Sequence, residues 1–284
     1  MLVPVRRIIG SAYRQHRLVV AFNTLNAETT LAIARAAQQV GVATLYEISE
    51  KTIAYLGLAT TVALVKAVSR ETGGKVPLGI HLDHGKSLEI CCAAIRAGFS
   101  SVMIDGSALP FAANVKLTKQ VVEFAHRRQV MVQGEVGALV AVKAGTRLTA
   151  ARQLMTDPKQ ARDFVKLTGV DSLGVAVGTL HGPMKIFRRL PKIDFALLRD
   201  IHQAVKLPLV LHGGSGVPAP DLKRAAHLGV AVVNIDTELR LAYLAALRWE
   251  LKRRPKEYDP RVVFAPVVQA LTMVAVEKLR GLQG

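Results

Sequence analysis

The sequence predicts an α/β fold, a single (β/α)8 TIM barrel, and three observations predict it. Eight short apolar runs alternate with amphipathic stretches along 284 residues, with no low-complexity linker between them. The first run is followed by Thr24-Leu25-Asn26-Ala27-Glu28, not by the glycine-rich turn that would favour an open doubly wound sheet. Residues with chemical potential collect just past the ends of successive runs, where a barrel carries its catalytic loops.

The expected strands are Val19–Asn23, Thr44–Ile48, Pro77–Leu82, Ser101–Ile104, Val130–Gly134, Ser172–Val177, Leu207–Leu211 and Ala231–Ile235. Each is a short, nearly continuous apolar run, as strands buried on both faces are. Helical periodicity covers Thr29–Val40, where Leu31, Ile33, Ala34 and Ala37 share a face. It recurs at Ser87–Ala97, Asn114–His126, Pro158–Leu167, Asp194–Val205 and Ala219–Leu228. Gly41, Gly98, Gly169 and Gly229 stand where left-handed C-terminal caps are wanted. The barrel is read as one domain over residues 1–284, with a helical extension from about residue 240. The apolar segment Val262–Val276 is broken by Pro266 and Gln269 and is too short for a bilayer, so it reads as a docking helix. It suits a homodimer or homotetramer, and equally a helix capping its own barrel.

Half of the residues are apolar, enough for one sizeable core. Lys and Arg number 38 against 21 Asp and Glu, a formal charge of +17 that favours anionic partners such as phosphorylated substrates. The basic residues are scattered, without interleaved aromatics for stacking, so no dedicated nucleic-acid module is expected. Cys91 and Cys92 are neighbours and lack the spacing of a structural zinc site, so they read as buried thiols. Sparse cysteine and no signal-peptide pattern fit a cytoplasmic protein.

The segment His81-Leu82-Asp83-His84-Gly85 closes the third apolar run with two imidazoles and a carboxylate. A buried strand tip does not tolerate such groups without partners, so a metal and a proton-transfer group belong there. If the strand continued regularly, His81 and Asp83 would share one face and His84 the other, so it must end near Asp83, with Gly85 allowing the turn. His84, His181 and His212 arrive from strands 3, 6 and 7, and three imidazoles with an open position describe a catalytic zinc site. His16, His81, His126, His202 and His227 read as structural. Asp105, followed by Ser107, and Glu135 end strands 4 and 5, as ligands of a second or alternative cation or as outer acceptors for the histidines. His212-Gly213-Gly214-Ser215-Gly216 after strand 7, beside Asn234, Asp236 and Thr237 after strand 8, matches the usual phosphate cradle of barrels.

Taken in order, these pieces resemble the class II, metal-dependent ketose-bisphosphate aldolases, the fructose- and tagatose-bisphosphate enzymes. The matching segments include Ala21-Phe22-Asn23, His81–Gly85, Gly98–Ser107, Gly134-Glu135-Val136-Gly137, Gly178–Gly182, Leu211–Gly216, Asn234–Glu238 and Asp259-Pro260-Arg261, nearly the whole chain. The resemblance implies zinc held by His84, His181 and His212, Asp83 as proton donor to the aldehyde oxygen, and Asp105 and Glu135 at an alternative metal position. It implies that Gly182, Lys185, Gly213, Ser215, Asn234, Asp236 and Thr237 hold dihydroxyacetone phosphate, with Asn23 and Ser49 lining the same pocket. Two departures stand out. The family carries acids in the loop after strand 5, one of which moves a proton at the enediolate carbon; here there is no acid between Glu135 and Asp157. The family also has a tyrosine where this chain has Met184, before Lys185. The expected function is therefore a zinc-dependent aldolase acting on a phosphorylated ketose. The alternative is an aldolase-like metal and phosphate binder with altered or lost catalysis, serving as sensor or scaffold.

Overall fold

The computed structural model describes residues 1–72, 76–137, 155–179 and 192–283. Within them eight parallel strands close into a barrel in chain order, with the first strand paired to the last. They are β1 (Val19–Asn23), β2 (Thr44–Ser49), β3 (Leu78–Gly85) and β4 (Ser101–Ile104), then β5 (Met131–Val136), β6 (Ser172–Val175), β7 (Leu209–Leu211) and β8 (Val230–Ile235). All eight expected strands are present. The largest change is in β3, which runs three residues past Leu82.

Helices α1 (Val5–Arg14), α2 (Ala27–Val40), α3 (Glu50–Leu56), α4 (Leu58–Glu71), α5 (Leu88–Ala97) and α6 (Phe111–His126) belong to the first half of the barrel. The second half carries α7 (Pro158–Thr168), α8 (Phe195–Val205), α9 (Ala219–Ala226), α10 (Thr237–Arg253) and α11 (Pro260–Gly281). The side chains of Asn26, Ser87, Asp157 and Asp194 start α2, α5, α7 and α8 by accepting a backbone N–H three residues on. Gly41, Gly98 and Gly169 end α2, α5 and α7 with positive φ; Gly229 is left-handed too, but lies two residues past the cap of α9.

Three helices were not expected from periodicity. Helices α3 and α4 connect β2 to β3 and meet at a bend of 95° at Gly57. Helix α4 carries Thr60, Thr61, Val62, Val65 and Val68, β-branched residues that weaken helix propensity, and burial of Val62, Val65 and Val68 overrides it. Helix α1 closes the bottom of the barrel. Its Val5, Ile8 and Ile9 pack on Ala21, Leu45, Met131, Val210 and Ala231, a core separate from the larger one between strands and outer helices. Helix α11 runs unbroken through Pro266 and lies on α2 and α10; at 22 residues it has the length and apolar composition of a span, with part of that surface buried on the barrel. Cys91 and Cys92 are buried free thiols, and burial pushes the Cys91 thiol up to about 12.

If α1 is part of the core, Ile8→Ala will cost about 2–5 kcal/mol, as other buried Ile→Ala changes do, and will lower the thermal midpoint in calorimetry. An unchanged midpoint would show that the helix only decorates the barrel.

Candidate active site

The site begins with an irregularity at the tip of β3. His81 and Leu82 pair with Ser101 and Val102, but the next partner of β4, Ile104, faces Gly85, so β3 holds one extra residue between these points. The bulge contains Asp83 and His84. His84 itself is left-handed, with φ 49°, a region histidine visits more often than bulkier residues. The turn expected at Gly85 is thus made one residue earlier, by His84, while the strand goes on. Gly85 instead allows close approach. A Cβ there would lie 2.8 Å from the Met103 carbonyl oxygen and 2.9 Å from Leu82 Cδ2, so only glycine lets β3 rejoin β4. Consecutive residues that would leave opposite faces of a regular strand therefore reach the same cleft.

Two overlapping groups of donor atoms result. Those of Asp83, His84 and His212 lie within 4.8 Å of one another, and so do those of His84, Asp105 and Glu135. The His84 and His212 rings are 4.5 Å apart between centroids. His84 Nδ1 is 2.8 Å from Asp105 Oδ2 and 3.6 Å from Glu135 Oε2, while Nε2 is 3.7 Å from Asp83 Oδ1. An Nδ1–H held by Asp105 leaves the Nε2 lone pair facing Asp83 and His212, the arrangement of a metal-ligating histidine with a carboxylate behind it.

The charges explain the shifted acidities. Burial alone would lower His84, but the hydrogen bond to Asp105 and the charges of Asp83 and Glu135 raise it to about 9. Glu135 is pushed up to about 8, first by burial and then by Asp105. Burial would raise Asp105 as well, yet hydrogen bonds from His84, Lys86 and Ser107 hold it well below the usual carboxylate range. Asp83 is likewise held down against burial, by His84, His212 and the Asn23 amide, which donates to its Oδ2 at 2.8 Å.

The opposite wall suits an anion. The loop Gly213–Gly216 approaches β8 so closely that a Cβ on Gly214 would lie 2.2 Å from Val233 Cγ2. Ser215 is buried with its hydroxyl unpartnered, and Thr237 opens the 17-residue α10 beside it, presenting a helix N-terminus. Asp236 stands at the N-cap position without a side-chain capping bond and pairs instead with Arg240 (Nε–Oδ1 2.6 Å), so its carboxylate is already engaged.

A cleft of about 350 Å³ joins the two walls. Of the residues singled out in the sequence, Asn23, Ser49, Asp83, His84 and His212 line one side of it. Gly213, Ser215, Asn234, Asp236 and Thr237 line the other. Asp105 and Glu135 stand behind His84. His181, Gly182 and Lys185 lie outside the described residues, as does the loop 138–147. His81 is buried and bonded to Ser101 (2.8 Å), His126 to Asp171 and His202 to Tyr13, all structural as expected.

The structure also brings in residues not singled out. Lys51, Lys86 and Arg240 line the mouth, and Lys86 Nζ is paired with Asp105. Gln133 on β5 places its side-chain amide 2.8 Å from His212 Nε2. Glu47, a buried acid on β2, is pushed well above the ordinary carboxylate range, first by burial and then by the charge of Asp83. The signal for the last two was a lone polar residue inside an apolar strand, which demands a buried partner.

The sequence profile of class II fructose-bisphosphate aldolase matches residues 3–284. This chain belongs to the class II fructose-bisphosphate aldolase family. A fructose-bisphosphate aldolase of Geobacillus stearothermophilus is 39% identical over 280 residues, covering 98% of this chain and 96% of that protein. A probable fructose-bisphosphate aldolase of Bacillus subtilis (strain 168) is equally similar over the same share of each chain. Among solved structures, the YdjI aldolase of Escherichia coli K12 superposes with a TM-score of 0.85 at 31% identity, covering 99% of this chain and 97% of that one. The chain is thus an aldolase, a carbon–carbon lyase, and the donor set suits the divalent metal typical of this class II family. Two imidazoles converge, and Asp83 Oδ1 and Glu135 Oε2 are buried without a hydrogen-bond donor, an arrangement a cation would relieve.

In that case Gln133 fixes which nitrogen His212 offers. With the Gln133 amide oxygen turned to Nε2–H, Nδ1 is the nitrogen on the Asp83 side, 4.0 Å from Asp83 Oδ1 and 3.2 Å from the Asn234 side-chain amide. Gln133→Leu should weaken zinc binding about 10–100-fold in titrations of the metal-free protein. Unchanged affinity would rule out the orienting role.

Proposed function

We propose that this aldolase is zinc-dependent and cleaves or forms a phosphorylated ketose, with dihydroxyacetone phosphate as one product and an aldehyde as the other. The observation that carries this reading is the convergence of His84, His212 and Asp83 opposite a glycine-rich loop and a helix N-terminus, in one cleft. His84, His181 and His212 would hold the zinc, with Asp105 orienting His84 and Glu135 available as an alternative ligand. When bound, the metal supplies a Lewis acid that polarises the ketone and offsets the negative charge developing on its oxygen.

The protein's own groups divide the remaining work. Backbone N–H groups around Gly213 and Thr237, with Ser215, Asn234, Gly182 and Lys185, would grip the phosphate, while the overall positive charge steers the anion inward. Asp83 is the proton-transfer group. In cleavage it takes the hydroxyl proton next to the scissile bond as the carbonyl forms; in synthesis it returns that proton to the aldehyde oxygen. Its anionic state and its Asn23 contact suit it to the cleavage direction. Among the described residues at the mouth, Lys86 and Arg240 are paired with Asp105 and Asp236, which leaves Lys51 as the lining cation to meet a phosphorylated substrate.

The same proposal includes a cytoplasmic location, consistent with the two inert buried thiols, and a homodimer or homotetramer. Exposed Leu244, Trp249 and Met273 on α10 and α11 support association. Light scattering that finds only monomers would remove that last element.

Cleavage of fructose- and tagatose-bisphosphate is expected with zinc, lost on chelation and restored by readdition. His212→Ala should lose both bound zinc and turnover, and equal activity in the variant would sink the zinc assignment. Asp83→Asn should retain zinc while kcat drops about 10²–10⁴-fold, the usual weight of acid–base catalysis. The second reading, a metal and phosphate binder with altered catalysis, is favoured by the absence of any acid between Glu135 and Asp157. Loss of label from dihydroxyacetone phosphate separates the two. Zinc-dependent exchange with solvent is expected of the aldolase and would eliminate the binder.

A further inference from the structure

The glycine-rich loop after β7 is held from behind by α11, a helix that contributes nothing to the lining of the cleft. Three of the four residues from Gly213 to Gly216 are glycines, and Gly213 and Gly216 are left-handed, with φ 68° and 78°. Such a loop has much backbone freedom to lose, so an anion that had to order it would bind weakly. Its N–H groups show what orders it instead. Gly214 donates to the Asn234 carbonyl at 3.0 Å, and Val217 to the Gly214 carbonyl at 3.2 Å. Gly216 donates to a side chain, Glu238 Oε1, at 2.6 Å. The residues that alternate with these, Gly213 and Ser215, line the cleft.

Glu238 is an unexpected neighbour for a phosphate. It lies in the first turn of α10, one residue past Thr237, where its charge would repel an incoming anion. Both of its oxygens are committed, however. Oε1 takes the Gly216 N–H, and Oε2 is 2.8 Å from Lys278 Nζ near the end of α11. Lys278 and Glu238 are 25% and 16% exposed, so solvent screens the pair only in part. The ammonium offsets the charge that would repel the ligand, and it fixes the carboxylate that fixes the loop. A second tie joins the same two regions. Lys223, on the helix that follows the loop, donates to the Gln283 carbonyl just beyond α11 at 2.8 Å.

We propose that Glu238 and Lys278 are positioning residues for phosphate binding: the carboxylate braces the loop through the Gly216 N–H, the ammonium neutralises that carboxylate, and the end of α11 thereby holds the cradle in its binding shape before the ligand arrives. That role rests on the phosphate cradle proposed above. A phosphate handle is held alike in substrate and transition state, so loosening its cradle raises KM and leaves kcat nearly unchanged.

The test uses the zinc-loaded full-length protein and follows turnover of fructose-bisphosphate together with dihydroxyacetone phosphate binding by calorimetry. Lys278→Met leaves the Glu238 charge stranded beside the cradle. KM and the Kd of dihydroxyacetone phosphate should each rise about 10-fold, with kcat and zinc content within about threefold of the parent. Adding Glu238→Gln removes the stranded charge but keeps an oxygen for the Gly216 N–H, so the double variant should recover most of the loss. Parental KM and Kd in Lys278→Met, or a fall in kcat at parental KM, would overturn the proposal. A double variant no better than Lys278→Met would overturn it too, because the damage would then come from a loosened helix and not from the charge.

Ser215→Ala, in the cradle itself, separates failure of the brace from failure of the site. If it weakens dihydroxyacetone phosphate binding while Lys278→Met does not, the cradle stands and the brace falls. If it binds as tightly as the parent, or if the parent binds none, the phosphate does not lie in this loop, and the cradle falls together with its brace.

Discussion

Everything at the cleft depends on one extra residue in β3. A regular strand would send Asp83 and His84 to opposite faces, and one of them would be lost to the layer between sheet and helices. The bulge and the left-handed His84 bring both to the mouth. A left-handed non-glycine residue costs on the order of 1–3 kcal/mol and persists only where its surroundings over-determine it. Here the surroundings are specific: Asp105 holds His84 Nδ1, the Asp105 N–H donates to the Gly85 carbonyl at 2.8 Å, and Gly85 lies bare against β4. Strain in the backbone and geometry in the site are the same feature.

The second constraint is electrostatic. Three acids, Asp83, Asp105 and Glu135, lie buried around one partly buried imidazole, His84, and a fourth, Glu47, is buried on β2. They cannot all be ionised at neutral pH in a dry interior. The environment sorts them: Asp105 and Asp83 keep their charge because they face His84, Lys86 and the Asn23 amide, whereas Glu47 and Glu135 have their acidities suppressed. Pushing neighbouring carboxyls apart in this way lets one site contain both proton holders and proton acceptors. A hydrophobic plug made by α1 closes the other end of the barrel.

The eight strands were legible because burial on both faces writes a continuous apolar run, and the runs recur at even spacing. Helix α4 was not, since its threonines and valines speak for a strand and only packing on the barrel makes it helical. Helix α1 was missed for a related reason: its apolar stripe is meaningful only against the closed bottom of a barrel. The bulge in β3 is invisible in the sequence because register is decided by the neighbouring strand, and Gly85 signalled a turn without saying which residue would make it. Glu47 and Gln133 stood out only as single polar residues in apolar runs, and their partners, Asp83 and His212, are 36 and 79 residues away.

The sequence by itself determined the fold class, the alternation of elements, and the collection of histidines, acids and glycines at strand ends, because periodicity and composition are local properties. It also identified the family, since motif order along the chain survives without coordinates. What only the tertiary structure decided is which nitrogens and oxygens meet: His84 with Asp105 behind it, Gln133 behind His212, and Asp236 engaged by Arg240. Those pairings depend on barrel closure and strand register, long-range conditions that no window of residues contains.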